Sequence, residues 1–517
     1  MRRAFLHILA ASAVLAIIAP PAHGQSFLNR SIHDWLNDLN AKNPPDVRRS
    51  ATFALGKIGA EGDAGRVLDA LLKSLHDDAD AAVRDGAAYA VGDMMTELGD
   101  SGQIYWARAD APLQEALKDA APGVRRSAAY ALGSFGAAAT PARDALIAAL
   151  ADDKPSVRQN AAWALGELGQ GAGQDGVAQL RGLLKDDDPL VRRDAMHALG
   201  DIGNPVAHAA VSAMMKAAGT EGNGVVRKAA VEALSKLVGP DDRADSKSLY
   251  PLLSDKDPET RYGAAVVLAT IGGPEAAQAL PVLREALLGD DPHFQELAAA
   301  AVGGLGKDGG SAVDLLGQVL TQAKEPDVRR NAALSLSKIG PPAAKVLPQI
   351  VQALQYHEAD ADSQYNGIRV YAAEALNHIL MPGIEPAIPA VLKIIRSDPD
   401  PVVRMRCLFA LFDVEDLDRY KITPVLTALL DDTGQETAVL RWDAARLLAF
   451  RLRERAPDKT ADVLLQLLRA QGVVEFKGVD AKTNGVGSEG AGGKTTVNQD
   501  LGGDGRWMGA QGLGFLG

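Results

Sequence analysis

At 517 residues the chain could form three or four compact globular domains, but aromatic residues make up only 5% and Gly, Ala and Leu abound, so internal repetition has to be tested first. A charged fraction of 23% beside 47% hydrophobic residues excludes a disordered or collagenous chain. The net charge of -12 opposes broad phosphate binding, so nucleic acid is not an expected partner.

Met1-Arg2-Arg3 is a basic start, Ala4 to Ala19 is apolar apart from His7 and Ser12, and Ala22-His23-Gly24 offers small residues around a cleavage point before Gln25. Residues 1–24 therefore read as a secretory signal peptide, and the expected location is periplasmic or secreted. The apolar run falls short of the ~20 residues a spanning helix needs, so stable membrane insertion after cleavage is not expected. No cysteine stands at the signal end to carry a lipid, and Cys407, the sole cysteine, has no partner for a disulfide within the chain.

Further along, one pattern recurs. The stretch Val124-Arg125-Arg126-Ser127-Ala128-Ala129-Tyr130-Ala131-Leu132-Gly133-Ser134-Phe135-Gly136 has counterparts starting at Val47, Val83, Val157, Val191, Val226, Thr260, Phe294, Val328, Ile368, Val403, Leu440 and, degenerately, Gly505. The fifth position is Ala in eleven of these thirteen copies, and the ninth is Leu or Val in every one. Positions one, five, eight, nine and twelve share one face of a helix, which is the predicted core: small residues let neighbouring helices approach, and Leu fills the gap between them.

Asp188-Pro189, Asp257-Pro258, Asp291-Pro292 and Asp400-Pro401 write helix starts, a capping carboxylate before a proline whose missing N–H costs nothing. Gly59, Gly136, Gly169, Gly203, Gly272, Gly306 and Gly340 are the predicted stops, each in a left-handed cap. A second apolar stretch, such as Ala142 to Leu150, precedes each such helix, so the unit is helix, acidic turn, helix, loop.

The signature V-R-x-x-A-A-x-A-L-G-x-x-G resembles HEAT repeats, in particular the short HEAT-like repeats of phycobilin lyase subunits and deoxyhypusine hydroxylase. The resemblance covers roughly Ile32 to Leu468 and the last thirteen residues. It implies an all-α fold, an α-solenoid built as a right-handed superhelix of about twelve HEAT-like helix pairs, with the Val-Arg helices lining the inner surface. The expected organisation is a signal peptide at 1–24, the solenoid at 25–474, a Gly-rich inserted loop at 475–504, and a final degenerate repeat helix at 505–517.

Departures from the pattern mark expected irregularities. Gln295 stands where the other twelve copies have Arg, and Gly303-Gly304 weakens the same helix. Extra residues lengthen the connections at Tyr356–Gln364 and Ser101–Trp106.

Catalytic signals are thin. Gly492-Gly493-Lys494-Thr495 resembles a phosphate-binding loop, but Ser488 stands where its first Gly belongs. His357-Glu358 is the sole His-Glu pair of the kind that holds iron in deoxyhypusine hydroxylases. The acidic turns Asp77-Asp78, Asp152-Asp153, Asp186-Asp187-Asp188 and Asp431-Asp432 lack the alternation of a calcium loop and read as caps. Cys407 occupies a column of core Ala. No catalytic residue, cofactor or metal is assigned, although the resemblance keeps an enzyme or chromophore- or metal-handling factor as the alternative.

Two columns invite a binding role. The Arg at position two recurs once per repeat, which points to pairing with the acids of the turns. Position seven reads Phe53, Tyr89, Tyr130, Trp163 and His197 in five consecutive copies, then changes to Glu232, Val266 and Ala300. Near it, position three carries Arg49, Asp85, Arg126, Gln159 and Arg193. Rings with Arg neighbours suit capture of a protein or peptide, and equally each ring can pack on the next repeat. The expected site is Phe53, Tyr89, Arg126, Tyr130, Trp163, Arg193 and His197, on a non-catalytic scaffold for a protein or peptide partner.

Overall fold

A computed structural model describes residues 26–61, 63–356, 363–379, 381–432 and 438–469. The expected signal peptide at 1–24, His357-Glu358, the expected insertion at 475–504 with its Gly-Gly-Lys-Thr run, and the expected copy at 505–517 lie outside the described residues. Among the described residues there are twenty-four α-helices and one two-residue strand pair, Ser26–Phe27 with Arg30–Ser31. The fold is an α-solenoid. The chain divides between Ala207 and His208 into two compact units.

In the first unit the repeat helices run Pro45–Ile58, Ala81–Leu98, Pro122–Ser134, Pro155–Glu167 and Pro189–Ile202. In the second they run Gly224–Leu237, Pro258–Ile271, Pro292–Gly304, Pro326–Ile339, Ser363–His378, Pro401–Phe409 and Ala438–Leu452. A further helical element precedes each of the twelve, and Asp458–Arg469 follows the last. At Asp242–Ser254 the preceding element is a 3-10 helix with Pro251 inside it. Its buried residues Ser246, Leu249 and Leu252 follow the three-residue turn that this geometry imposes.

The predicted core columns are the core. Ala128, Ala131 and Leu132 are fully buried, as are Ala161, Ala164 and Leu165. Each such Leu contributes roughly 1.5–3 kcal/mol by leaving water. Position ten sets how closely adjacent helices approach: a Cβ on Gly56 would lie 3.0 Å from Ala90 Cα, and one on Gly166 would lie 3.0 Å from Ala198 Cα.

The four Asp-Pro starts are capped as expected, with Asp188, Asp257, Asp291 and Asp400 each accepting a hydrogen bond from a first-turn N–H. Of the predicted stops, Gly136, Gly169, Gly203, Gly272, Gly306 and Gly340 have positive φ. Gly59 does not. Its φ is −64°, and the chain runs on into a 3-10 turn. Glycine is needed there for space, because a Cβ would meet Val67 Cγ1 at 2.7 Å and Met94 Sδ at 2.9 Å. The lengthened connection at Ser101–Trp106 is also ordered: Gly99–Tyr105 is a 3-10 helix, and the Trp106 ring packs edge-on against Phe135 at 5.3 Å.

The position-two arginines form a ladder between repeats. Arg84 holds both carboxylate oxygens of Asp119 at 2.8 and 3.0 Å, Arg125 holds Asp152 at 2.6 and 2.8 Å, and Arg158 holds Asp186 at 2.8 and 2.7 Å. Each acid stands five residues before the next copy begins. Each arginine also reaches back to its own turn, as Arg125 Nη1 does in donating to Asp119 O at 3.0 Å. The carboxylate in turn accepts the N–H two residues on, as Asp152 does from Lys154 at 2.9 Å. These bidentate bonds, and those of Arg48 to both oxygens of Asp78 at 2.7 Å, hold the Asp78, Asp119 and Asp152 carboxyls below the usual carboxylate range.

In the second unit Arg227 pairs with Asp255, and Arg369 with Asp398 at 2.7 Å, the latter pair almost wholly buried. Between them the ladder is interrupted. Gly289 and Ala323 occupy the acid's place, so Arg261 turns to Glu285 at 2.7 Å, and Gln295 donates to Gly289 O at 2.6 Å. The weak point expected at Gln295 is thus two missing acids as well as a missing arginine.

Candidate functional site

The aromatic column of the first unit is both packed and open. Tyr89 stacks on Tyr130 with centroids 5.3 Å apart and an 18° interplanar angle, and Tyr130 stacks on Trp163 at 5.4 Å and 24°. Tyr130 and Trp163 each rest on the position-ten glycine of the preceding helix. A Cβ on Gly92 would come within 2.6 Å of the Tyr130 ring, and one on Gly133 within 2.5 Å of Trp163. The rings therefore lie flat against the neighbouring repeat because those glycines have no side chain.

Packing on the next repeat is real, yet Phe53 remains 50% exposed and Tyr89 37%, while Tyr130, Trp163 and His197 are half-buried. Phe53 is prolonged by a ring that sequence reasoning missed: Phe27, in the short strand pair, meets it edge-on at 6.0 Å and meets Trp35 at 6.5 Å. An aromatic residue just before the first repeat is a signal too slight to read without its register.

Position three flanks the rings on the side of the helix N-termini. Arg49 and Arg126 are exposed there, with Asp85 beside Arg126 at 3.5 Å and accepting from Ser127 Oγ at 2.5 Å. Arg193 differs from these two, because it is half-buried and its guanidinium pairs with Asp194 at 2.6 Å. It belongs to the ridge by position but is tied to a neighbour. Burial pushes the Asp194 carboxyl up despite this arginine.

The opposite flank, toward the helix C-termini, is acidic. It carries Asp93, Glu97, Glu167 and Asp201, with Lys57 bound to Asp93 at 2.7 Å. The helices Ala81–Leu98, Pro155–Glu167 and Pro189–Ile202 have no basic residue in their last turns. Acids at helix C-termini oppose the macrodipole and cost about 0.3–1 kcal/mol each, so helix stability does not account for them.

Among the described residues no group of three or more His, Cys, Asp or Glu side chains converges as a metal site, and no helix is long and apolar enough to cross a membrane. Cys407 is buried, and burial pushes its thiol up, away from nucleophilic character.

The sequence matches the family described as HEAT repeats over residues 109–175, 143–235 and 280–361, and the PBS lyase HEAT-like repeat over 47–77. A search of curated proteins finds no match. Among solved structures, similar folds include importin beta in an ammonium sulfate condition, at 15% identity and TM-score 0.45, with 85% of this chain and 65% of that chain covered. The karyopherin Kap121p bound to the extreme C-terminus of the protein phosphatase Cdc14p is similar at 15% identity and TM-score 0.45, with 85% and 54% covered. The chain thus spans less than two thirds of either structure's length. On its repeat signature and these matches, the chain carries HEAT repeats.

Proposed function

We propose that this chain is an exported, non-catalytic scaffold that captures a protein or peptide partner along the aromatic ridge of its first unit. The observation that carries the reading is the stack of Tyr89, Tyr130 and Trp163, three rings on adjacent repeats, the last two seated on glycines, that still reach solvent. Rigid aromatic residues with little rotamer entropy to lose are the side chains that dominate interface energetics, and arginines stand beside them. Export rests on the leader-like start, and N-terminal sequencing of the mature protein should begin at Gln25.

The test is Tyr130→Ala combined with Trp163→Ala. Affinity for the partner isolated from the native periplasm or medium should fall at least tenfold, with helicity by circular dichroism unchanged. Undiminished capture by that variant removes the ridge from the binding surface. Stoichiometric iron or a bound pigment in the purified protein would instead favour an enzyme or a chromophore-handling factor.

A further inference from the structure

The ridge has a cross-section as well as a length. Same-position residues of neighbouring helices meet, ring on ring in the seventh position, Asp85 beside Arg126 in the third and Lys57 on Asp93 in the eleventh, so these positions run across the repeats as strips. Net positive charge lies along the third-position strip, through Arg49 and Arg126 against Asp85, while Arg193 is matched by Asp194. Net negative charge lies along the strip toward the helix C-termini, through Asp93, Glu97, Glu167 and Asp201 against Lys57. Positions three and eleven are eight residues apart, roughly 12 Å along a helix axis.

We propose that this surface seats one amphipathic α-helix of a protein partner, with an apolar seam on the rings, an acidic flank on the arginine strip and a basic flank on the acidic strip. The inference rests on the scaffold reading of the same ridge. The spacing selects the occupant. A helix with its side chains is about 10–12 Å across and spans from strip to strip, whereas the side chains of a lone extended segment alternate between two faces only, so it cannot present an apolar seam and two different flanks at once. Opposite flanks also fix direction, because turning the helix end for end exchanges its flanks and sets like charges against each other.

Three synthetic helical peptides with a common Leu and Trp seam test this by fluorescence anisotropy against the full chain: one with Glu on one flank and Lys on the other, one with Lys on both, and one with Glu on both. The split-charge peptide should bind at least tenfold tighter than either uniform peptide. A photo-crosslinker at its N-terminus should label one end of the ridge, near Phe53 or near His197, and exchanging its flanks should move the label to the other end. Arg49→Glu with Arg126→Glu should transfer the preference to the all-Lys peptide. Equal binding of all three peptides, no binding of any, or labelling of both ends alike overturns the proposal. Equal peptide binding together with loss of partner capture in the Tyr130→Ala, Trp163→Ala variant leaves the scaffold reading intact and removes only the helix.

Discussion

The two units share one repeat and differ in what they do with it. In the first, from Arg48 to Asp186, every turn acid is bound by the arginine of the preceding repeat, the seventh position carries rings, and acids stand at helix C-termini. In the second, the acid's place is taken by Gly289, Ala323, Ser363 and Gln435, the seventh position is mixed, and last turns carry Lys236, Lys338, His378, Arg406 and Arg451. That second arrangement is what helix dipoles favour. The contrast separates two tasks: the turns tie repeats together, and where they do so without interruption the exposed ridge departs from what helix stability alone would choose.

The sharpest way to break the comparison is to interrupt the intact ladder. Asp152→Asn takes the bidentate partner from Arg125, which keeps Asp153 at 2.8 Å, and should cost about 2 kcal/mol. Hydrogen exchange should show the loss around residues 120–170. The ladder also sets an acid limit. These carboxyls titrate below their ordinary range in the folded chain, so their contribution is complete above the unfolded value near 4 and is lost as pH falls through the lower folded values. The first unit of wild type should therefore lose stability only below about pH 4, whereas Asp152→Asn should flatten that dependence.

A smaller effect of opposite sign belongs to the second unit. Asp443 is 1% exposed, bonded through one oxygen to Arg446 at 2.9 Å, while its Oδ2 has no hydrogen-bond partner. Burial pushes its carboxyl up to about 6. A folded value above the unfolded one means that the second unit should gain stability as pH falls from 7 through 6 toward 4. Asp443→Asn should abolish that gain and raise neutral-pH stability by about 1–2 kcal/mol, read as denaturation midpoints across that range. A midpoint that still rises on acidification in the variant would assign the effect elsewhere.

The smallest effect comes from repairing the interrupted ladder. Gln295→Arg and Ala323→Asp should each be neutral or mildly destabilising alone, and together should show a coupling of about 1 kcal/mol in a double-mutant cycle. Simple additivity would mean that the turns there are held by something other than the missing rung.

Much of this was legible in the sequence because the repeat shows each position many times. The core columns, the Asp-Pro caps and the interruption at Gln295 were all readable, and the once-per-repeat arginine pointed to turn acids. The rung's other half was harder to see. Asp78, Asp119, Asp152 and Asp186 sit five residues before the first position of the pattern, in turns whose acids read as helix caps, although the same column reads Gly289 and Ala323 where the ladder fails. Gly59 showed the limit of reading glycines by their place alone, since its need is for room beside Val67 and Met94. The ring column was visible, but its seating on Gly92 and Gly133 joins two repeats, and a single repeat's pattern does not contain it.

The two halves of each rung lie one repeat apart, and every rung uses the same two positions. Losing or duplicating a whole repeat, for instance the chain between Asp119 and Asp152, therefore brings an arginine to an acid of the same kind. A cut of any other length strands one of each. Such a molecule can change its reach in evolution or in the laboratory by whole repeats while keeping every internal joint, and its partner-facing ridge would lengthen or shorten in the same whole steps.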